Sequence, residues 1–234
     1  MKKLKARINY FSKAEILLWS FSVIFVTLSY ILFDRENYLN LTASLIGITS
    51  LIFCAKGNPF GQVLMIVFSL LYGIISYTFR YYGEMITYLG MTLPIAVLAL
   101  ISWLKNPFSN DKSEVRVNNN IGLKQIKIMC ILTIIVTIVF YFILKAFNTA
   151  NIVPSTISIT TSFVAAYLTV QRSPYFALAY AINDIILIVL WVLASITDVG
   201  YISVVVCFIA FLANDLYGYV SWRAMAKRQT LSGE

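Results

Sequence analysis

The chain has 234 residues, of which 60% are hydrophobic and 12% charged, with a mean hydropathy of +0.82. A soluble domain cannot cover its surface with so few polar side chains, so that class is excluded and a polytopic membrane protein remains. The net charge of +8 would suit a nucleic-acid ligand, but the basic residues flank apolar stretches, where they set orientation, and no nucleic-acid partner is expected.

Crossing a hydrocarbon core of about 30 Å takes about 20 helical residues. Eight stretches qualify, each closed by a charge, proline or glycine: 16–33, 40–55, 60–79, 84–104, 123–144, 155–171, 174–195 and 200–222. The first is followed by Phe33-Asp34-Arg35-Glu36, not by the small residues of a signal cleavage site, so this helix is expected to be retained. Cys54, Cys130 and Cys207 sit far apart in apolar sequence and read as small buried apolar residues, with no disulfide framework or metal motif.

Placing both termini in the cytoplasm puts Lys2, Lys3, Lys5, Arg7, Lys13, Lys56, Lys105, Lys112, Arg116, Lys124, Lys127, Arg172, Arg223, Lys227 and Arg228 inside. Only Arg35, Arg80 and Lys145 are then outside. This bias predicts a multi-pass protein of the cell (cytoplasmic) membrane with both termini cytoplasmic.

An internal repeat links the two halves. Lys56-Gly57-Asn58-Pro59-Phe60 is similar to Gln171-Arg172-Ser173-Pro174-Tyr175, Tyr82-Gly83-Glu84 to Val199-Gly200-Tyr201, and Ser102-Trp103 to Ser221-Trp222. Pro59 and Pro174 are 115 residues apart, Gly83 and Gly200 117, and Trp103 and Trp222 119, a slow drift. Helices two to four therefore pair with helices six to eight, and helix five between them gives both sets the same direction. The expected architecture is all-α: one N-terminal helix (1–39), a three-helix repeat (40–105), a cytoplasmic linker and connecting helix (106–150), and a second three-helix repeat with a cytoplasmic tail (151–234). This is the parallel-repeat class that includes SWEET-type sugar transporters. The charges of the linker, 106–122, read as a solvated face.

A polar site is expected where the repeats meet near mid-bilayer. Asn183-Asp184 and Asn214-Asp215 interrupt two long apolar stretches, and an intramembrane carboxylate marks a site by default because its insertion is costly. At 1.5 Å per residue the first pair lies roughly 14 Å from the cytoplasmic surface and the second roughly 10 to 12 Å. Asn183, Leu187 and Trp191 share one helix face; Asn214, Tyr217, Gly218 and Ser221 share another. Helix four adds Glu84, Thr87, Tyr88 and Thr92, while Ser69, Gly73, Ser76 and Arg80 on helix three read as a close-packing face. The candidate substrate-binding set is Asn183, Asp184, Trp191, Asn214, Asp215, Tyr217, Tyr88 and Thr92. Amides and carboxylates suit ribose hydroxyls or a carboxamide, and Trp191 and Tyr217 offer flat faces for a ring. With no Lys or Arg predicted at that depth, a cationic ring is favoured and a phosphate is not.

Several of these segments carry a resemblance. Ala55-Lys56-Gly57-Asn58-Pro59, Tyr81-Tyr82-Gly83-Glu84-Met85, Asn183-Asp184 with Leu190-Trp191, and Asn214-Asp215-Leu216-Tyr217-Gly218-Tyr219 with Trp222 resemble the bacterial nicotinamide riboside transporters, the PnuC family. The ending Asn-Asp-x-Tyr-Gly-x-x-x-Trp is the most specific part. The resemblance implies a doubled SWEET-like fold and uptake of nicotinamide riboside as an NAD precursor. It further implies facilitated diffusion trapped by a cytoplasmic riboside kinase, with no cofactor. Older naming in the family gives nicotinamide mononucleotide as substrate, whereas the charge argument favours the riboside. A homo-oligomer is compatible with this reading.

The chain departs from the family's pattern at Phe68, where many members carry asparagine, and at Pro94-Ile95-Ala96, where they carry Pro-Met-Gln. Relatives move thiamine or riboflavin, so another vitamin is an alternative, as is proton-coupled symport with Asp184 or Asp215 carrying the proton. An intramembrane aspartyl protease would also use two adjacent Asp, but its Tyr-Asp and Gly-x-Gly-Asp pattern is not matched. With no histidine, zinc-protease, nucleophile-elbow or Walker motif, no enzymatic machinery is expected.

Overall fold

Eight helices of membrane-spanning length run through the computed structural model, which describes residues 10–78, 82–108 and 113–232. They are α1 (Lys13–Phe33), α2 (Tyr38–Ala55), α3 (Phe60–Thr78), α4 (Tyr82–Lys105), α5 (Leu123–Ala146), α6 (Ile152–Val170), α7 (Phe176–Ser195) and α8 (Ile202–Leu231), the last entered through a 3-10 turn at Val199–Tyr201. The chain is thus an all-α, multi-pass membrane protein. Lys2, Lys3, Lys5, Arg7, Arg80, Tyr81 and Lys112, used in the sequence argument, lie outside the described residues. Among the described residues an even number of spans brings Tyr10 and Ser232 to one side, the terminal face; the opposite side is the far face.

Local chemistry accounts for where these helices begin and bend. α1 opens on a capping box, with Ser12 Oγ accepting from Glu15 N (3.2 Å) and Ser12 N donating to Glu15 Oε2 (2.7 Å). α4 widens to a π-helix over Tyr88–Thr92. Pro94 follows at once, and its ring would crowd the carbonyl four residues back in a regular helix, so the wider turn makes room for it. Thr92 Oγ1 then donates to Thr87 O at 3.3 Å. α8 continues nine residues past the expected end at Trp222, because Met225, Ala226 and Gln229 turn inward at helical spacing although the segment is no longer apolar.

Two three-helix groups, α2–α4 and α6–α8, meet through α4 against α6 and α2 against α8. Their terminal-face turns match in backbone: Gly57 and Arg172, 115 positions apart, both adopt positive φ, 64° and 58°. Their third helices make reciprocal contacts. Ser102 Oγ and Trp103 Nε1 donate to Val170 O (2.7 Å) and Thr169 O (2.9 Å) on α6, while Ser221 Oγ and Trp222 Nε1 donate to Ala55 O (2.7 Å) and Cys54 O (2.7 Å) on α2. The two indoles lie 5.3 Å apart with Phe176 against Trp222 at 4.8 Å, a plug of fully buried rings near the terminal face. α1 packs on α2 and α8, just as α5 packs on α6 and α4, so the N-terminal helix takes the place beside the first group that α5 takes beside the second.

The linker was expected to present a solvated face, and here the structure corrects the sequence reading. Val115 is fully buried, Glu114 pairs with Arg228, and Gln229 Nε2 donates to Val115 O (2.9 Å) while its Oε1 accepts from Val117 N (2.8 Å). Val115 N donates to Gly57 O (2.9 Å) and Asn118 N to Arg172 O (3.0 Å), so this strap bonds the matching turns of both groups. Of its described charges, Glu114 is paired to a helix that the apolar pattern had ended too early, while Arg116 stays exposed. A smaller correction concerns Cys130, which is exposed on the lipid-facing helix α5, whereas Cys54 and Cys207 are buried.

Candidate functional site

Two cavities lie in series above the ring plug. Toward the far face, a vestibule of about 230 Å³ is bounded by Asp34 and Asn37 of the α1–α2 connection, Asn40 in the first turn of α2, and Asp198 and Gly200 of the α7–α8 connection. Tyr72, Ser76, Trp191 and Tyr201 wall it. Deeper between the groups is a chamber of about 100 Å³, lined by Tyr180, Asn183, Asp184 and Asp215 from α7 and α8, Ser158 and Ser162 from α6, and Met65, Phe68, Thr87, Tyr88 and Thr92 from α3 and α4. Glu84 and Tyr88 line both spaces. Tyr180 forms the floor, its ring 6.4 Å from Phe176 of the plug, and the mutually tilted rings of Phe68, Tyr72 and Tyr88 form a septum toward the vestibule.

Along α7 the residues Tyr180, Asn183, Asp184, Leu187 and Trp191 recur every three or four positions, so one stripe runs from chamber floor to vestibule. Asn183 Oδ1 accepts from Thr161 Oγ1 at 2.9 Å, which orients the amide and leaves its NH₂ for a ligand. Asp184 and Asp215 line the same chamber from the adjacent helices α7 and α8. Asp184 Oδ2 is buried without a hydrogen-bond partner, as is Trp191 Nε1, whose ring lies 5.2 Å from that of Tyr201. A buried polar atom left unpaired costs about 1–3 kcal/mol, more when charged; of the buried atoms without a partner, these two belong to residues that line the cavities and can bond a ligand there.

Of the residues the sequence singled out, Asn183, Asp184, Asp215, Tyr88 and Thr92 line the chamber together, and Trp191 lines the vestibule instead. Asn214 and Tyr217 line neither space. Asn214 Nδ2 donates to Ser22 Oγ of α1 (2.9 Å) and to Ala210 O (2.7 Å); Tyr217 donates to Glu15 Oε1 (3.0 Å), which also pairs with Lys56. The expected face of Asn214, Tyr217, Gly218 and Ser221 is therefore a packing face toward α1 and α2. Neighbours on a helix point about 100° apart, so Asp215 faces the chamber with Phe208 and Phe211 while Asn214 turns away. Asn214→Ala should accordingly keep ligand affinity within about threefold while lowering stability by about 1–2 kcal/mol, measured by titration and thermal melting of purified protein.

Glu84, Thr87, Tyr180, Ser158 and Ser162 were not in the expected set. Tyr180 could have been found as the residue three before Asn183, and the serines by their spacing of four on α6. The π-helical turn that aims α4 at the cavity has no such signature, apart from Pro94.

Charge decides what this arrangement can hold. Asp34, Asp198, Glu84, Asp184 and Asp215 line the path, and among the described residues no lysine or arginine does. A positively charged planar group gains carboxylate attraction and aromatic contact there. A phosphate meets only like charge.

The family model described as nicotinamide mononucleotide transporter matches residues 37–224. Over 202 residues the chain is 24% identical to the nicotinamide riboside transporter PnuC of Neisseria mucosa, covering 85% of this chain and 76% of that protein. A second relative, the nicotinamide riboside transporter PnuC of Haemophilus influenzae, is 23% identical over 193 residues, 82% of each chain. The fold is similar to the crystal structure of the vitamin B3 transporter PnuC, with a TM-score of 0.78 at 21% identity over 94% of both chains.

Proposed function

Since this chain belongs to the nicotinamide mononucleotide transporter family, we propose that it carries nicotinamide riboside across the cell membrane by facilitated diffusion, with the terminal face in the cytoplasm. Release there would be followed by phosphorylation, so a riboside kinase is the functional partner that keeps the gradient inward. The relatives named as riboside transporters support the substrate. The observation that carries the choice of riboside over mononucleotide is the unpartnered Asp184 carboxylate oxygen beside Asp215, in a chamber that no basic residue lines among those described. The riboside's pyridinium supplies the missing charge, its carboxamide and hydroxyls match Asn183, Thr87 and Thr92, and the added phosphate of the mononucleotide has no counter-charge.

A thermal-shift screen of the purified protein against nicotinamide riboside, its mononucleotide, thiamine and riboflavin tests this directly. A ligand at 100 times its Kd stabilises the folded state by about 2.7 kcal/mol. The riboside should raise the melting temperature and the mononucleotide should not; a shift with the mononucleotide alone would reverse the assignment. Thiamine is the one competing reading with an observation behind it, because it is also a cation and Phe68 gives the chamber an extra aromatic wall. Uptake into liposomes with and without a pH gradient separates facilitation from proton coupling.

A further inference from the structure

The chamber alone, at about 100 Å³, is smaller than the 300–1,000 Å³ of ligand sites in general, and only vestibule and chamber together reach that range. A molecule with a ring and a sugar therefore has to pass or straddle the place where the two spaces join. Two side chains line both: Tyr88, which contributes to the aromatic septum, and Glu84. Glu84 belongs to the first turn of α4, four residues before Tyr88, and among the described residues its carboxylate makes no hydrogen bond. The acids on either side of it differ in this respect. Asp34 is held by Asn37 and Asn40, and Asp198 caps its own turn through Gly200 N at 2.8 Å, so both are committed to the fold at the vestibule mouth. Asp184 keeps one buried oxygen unpaired at the chamber end.

We propose that Glu84 determines charge specificity: at the junction it receives a singly positive ring from the vestibule and passes it to Asp184 and Asp215. This deepens the transport reading and rests on it. Without a carboxylate at the septum, a cation would cross a stretch walled by Phe68, Tyr72 and Tyr88 with no compensating charge, and the loss of solvation would set the barrier. A neutral ligand of the same shape would face no such barrier, so the residue acts on charge and not on fit.

The test compares two substrates that differ in charge, nicotinamide riboside and its neutral dihydro form, for uptake by purified protein in liposomes. Glu84→Gln should lower kcat/KM for the cation by about tenfold or more and leave the neutral form within about twofold. Glu84→Asp, which keeps the charge but withdraws it by one methylene, should cost the cation about threefold and again spare the neutral form. Equal losses for both substrates would make Glu84 a structural residue, and no loss for the cation would remove it from the path; either result overturns the proposal. If Glu84→Gln does not give monodisperse protein, the same two-substrate ratio in Glu84→Asp decides. Wild-type protein that takes up neither substrate would instead overturn the transport reading itself.

Discussion

Asp215→Asn weakens nicotinamide riboside binding by more than about tenfold, and Asp184→Asn does the same, in titrations on purified, monodisperse protein. A charge-assisted hydrogen bond is worth about 1.5–3 kcal/mol, and 1.4 kcal/mol is one factor of ten in affinity. Asparagine keeps the shape of aspartate, so the loss reports charge and not a cavity. The two carboxyls line one chamber, and one oxygen of Asp184 has no partner. The pair acts as a unit, so the double variant should lose less than the product of the single losses. Thermal melting without ligand should not fall, since these carboxyls complete no bond that the fold requires and the substitution removes a buried charge. Unchanged affinity in either single variant would take that residue out of the site.

The second large effect falls on the plug. Trp222→Ala should cost about 3–5 kcal/mol, enough to abolish monodisperse protein in detergent, because the indole is fully buried against Trp103 and Phe176 and its Nε1 donates to Cys54 O. Trp222→Phe is the more informative change: it keeps most of the ring and removes the hydrogen bond, at about 1–2 kcal/mol. Trp103 makes the matching bond to Thr169 O, so Trp103→Phe should cost the same to within about 1 kcal/mol. Melting curves for the two phenylalanine variants compare the contacts directly; a large inequality would show that the two groups do not share the junction evenly.

The helices were legible because hydropathy alone specifies them. The eight apolar stretches and the Gly57 and Arg172 turns could be placed by counting. What counting could not supply was direction around each helix. Asn214 and Asp215 are equally polar and adjacent, and only the packing of α1, with Ser22 against Asn214, decides which of them faces the chamber. Trp191 was placed beside Asn183 by spacing, yet the cavities are short enough that two turns along α7 lead from one space into the next. Glu15 gave no signal because it stands at the edge of an apolar stretch, where a charge reads as punctuation, although it is buried and ties α1 to Lys56 and Tyr217. Glu84 was visible as a charge at the start of helix four, but not as a side chain between two spaces.

The strap at the terminal face makes the two sides of the membrane unequal. Rocking the groups apart at the far face leaves Val115 on Gly57 and Asn118 on Arg172 undisturbed, whereas spreading them at the terminal face stretches one bond or the other. Each such bond is worth about 1 kcal/mol net, so the strap biases the groups toward staying together on that side. Opening toward the terminal face therefore has to break strap bonds as well as the Ser102, Trp103, Ser221 and Trp222 bonds between the groups, while opening toward the far face leaves the strap intact.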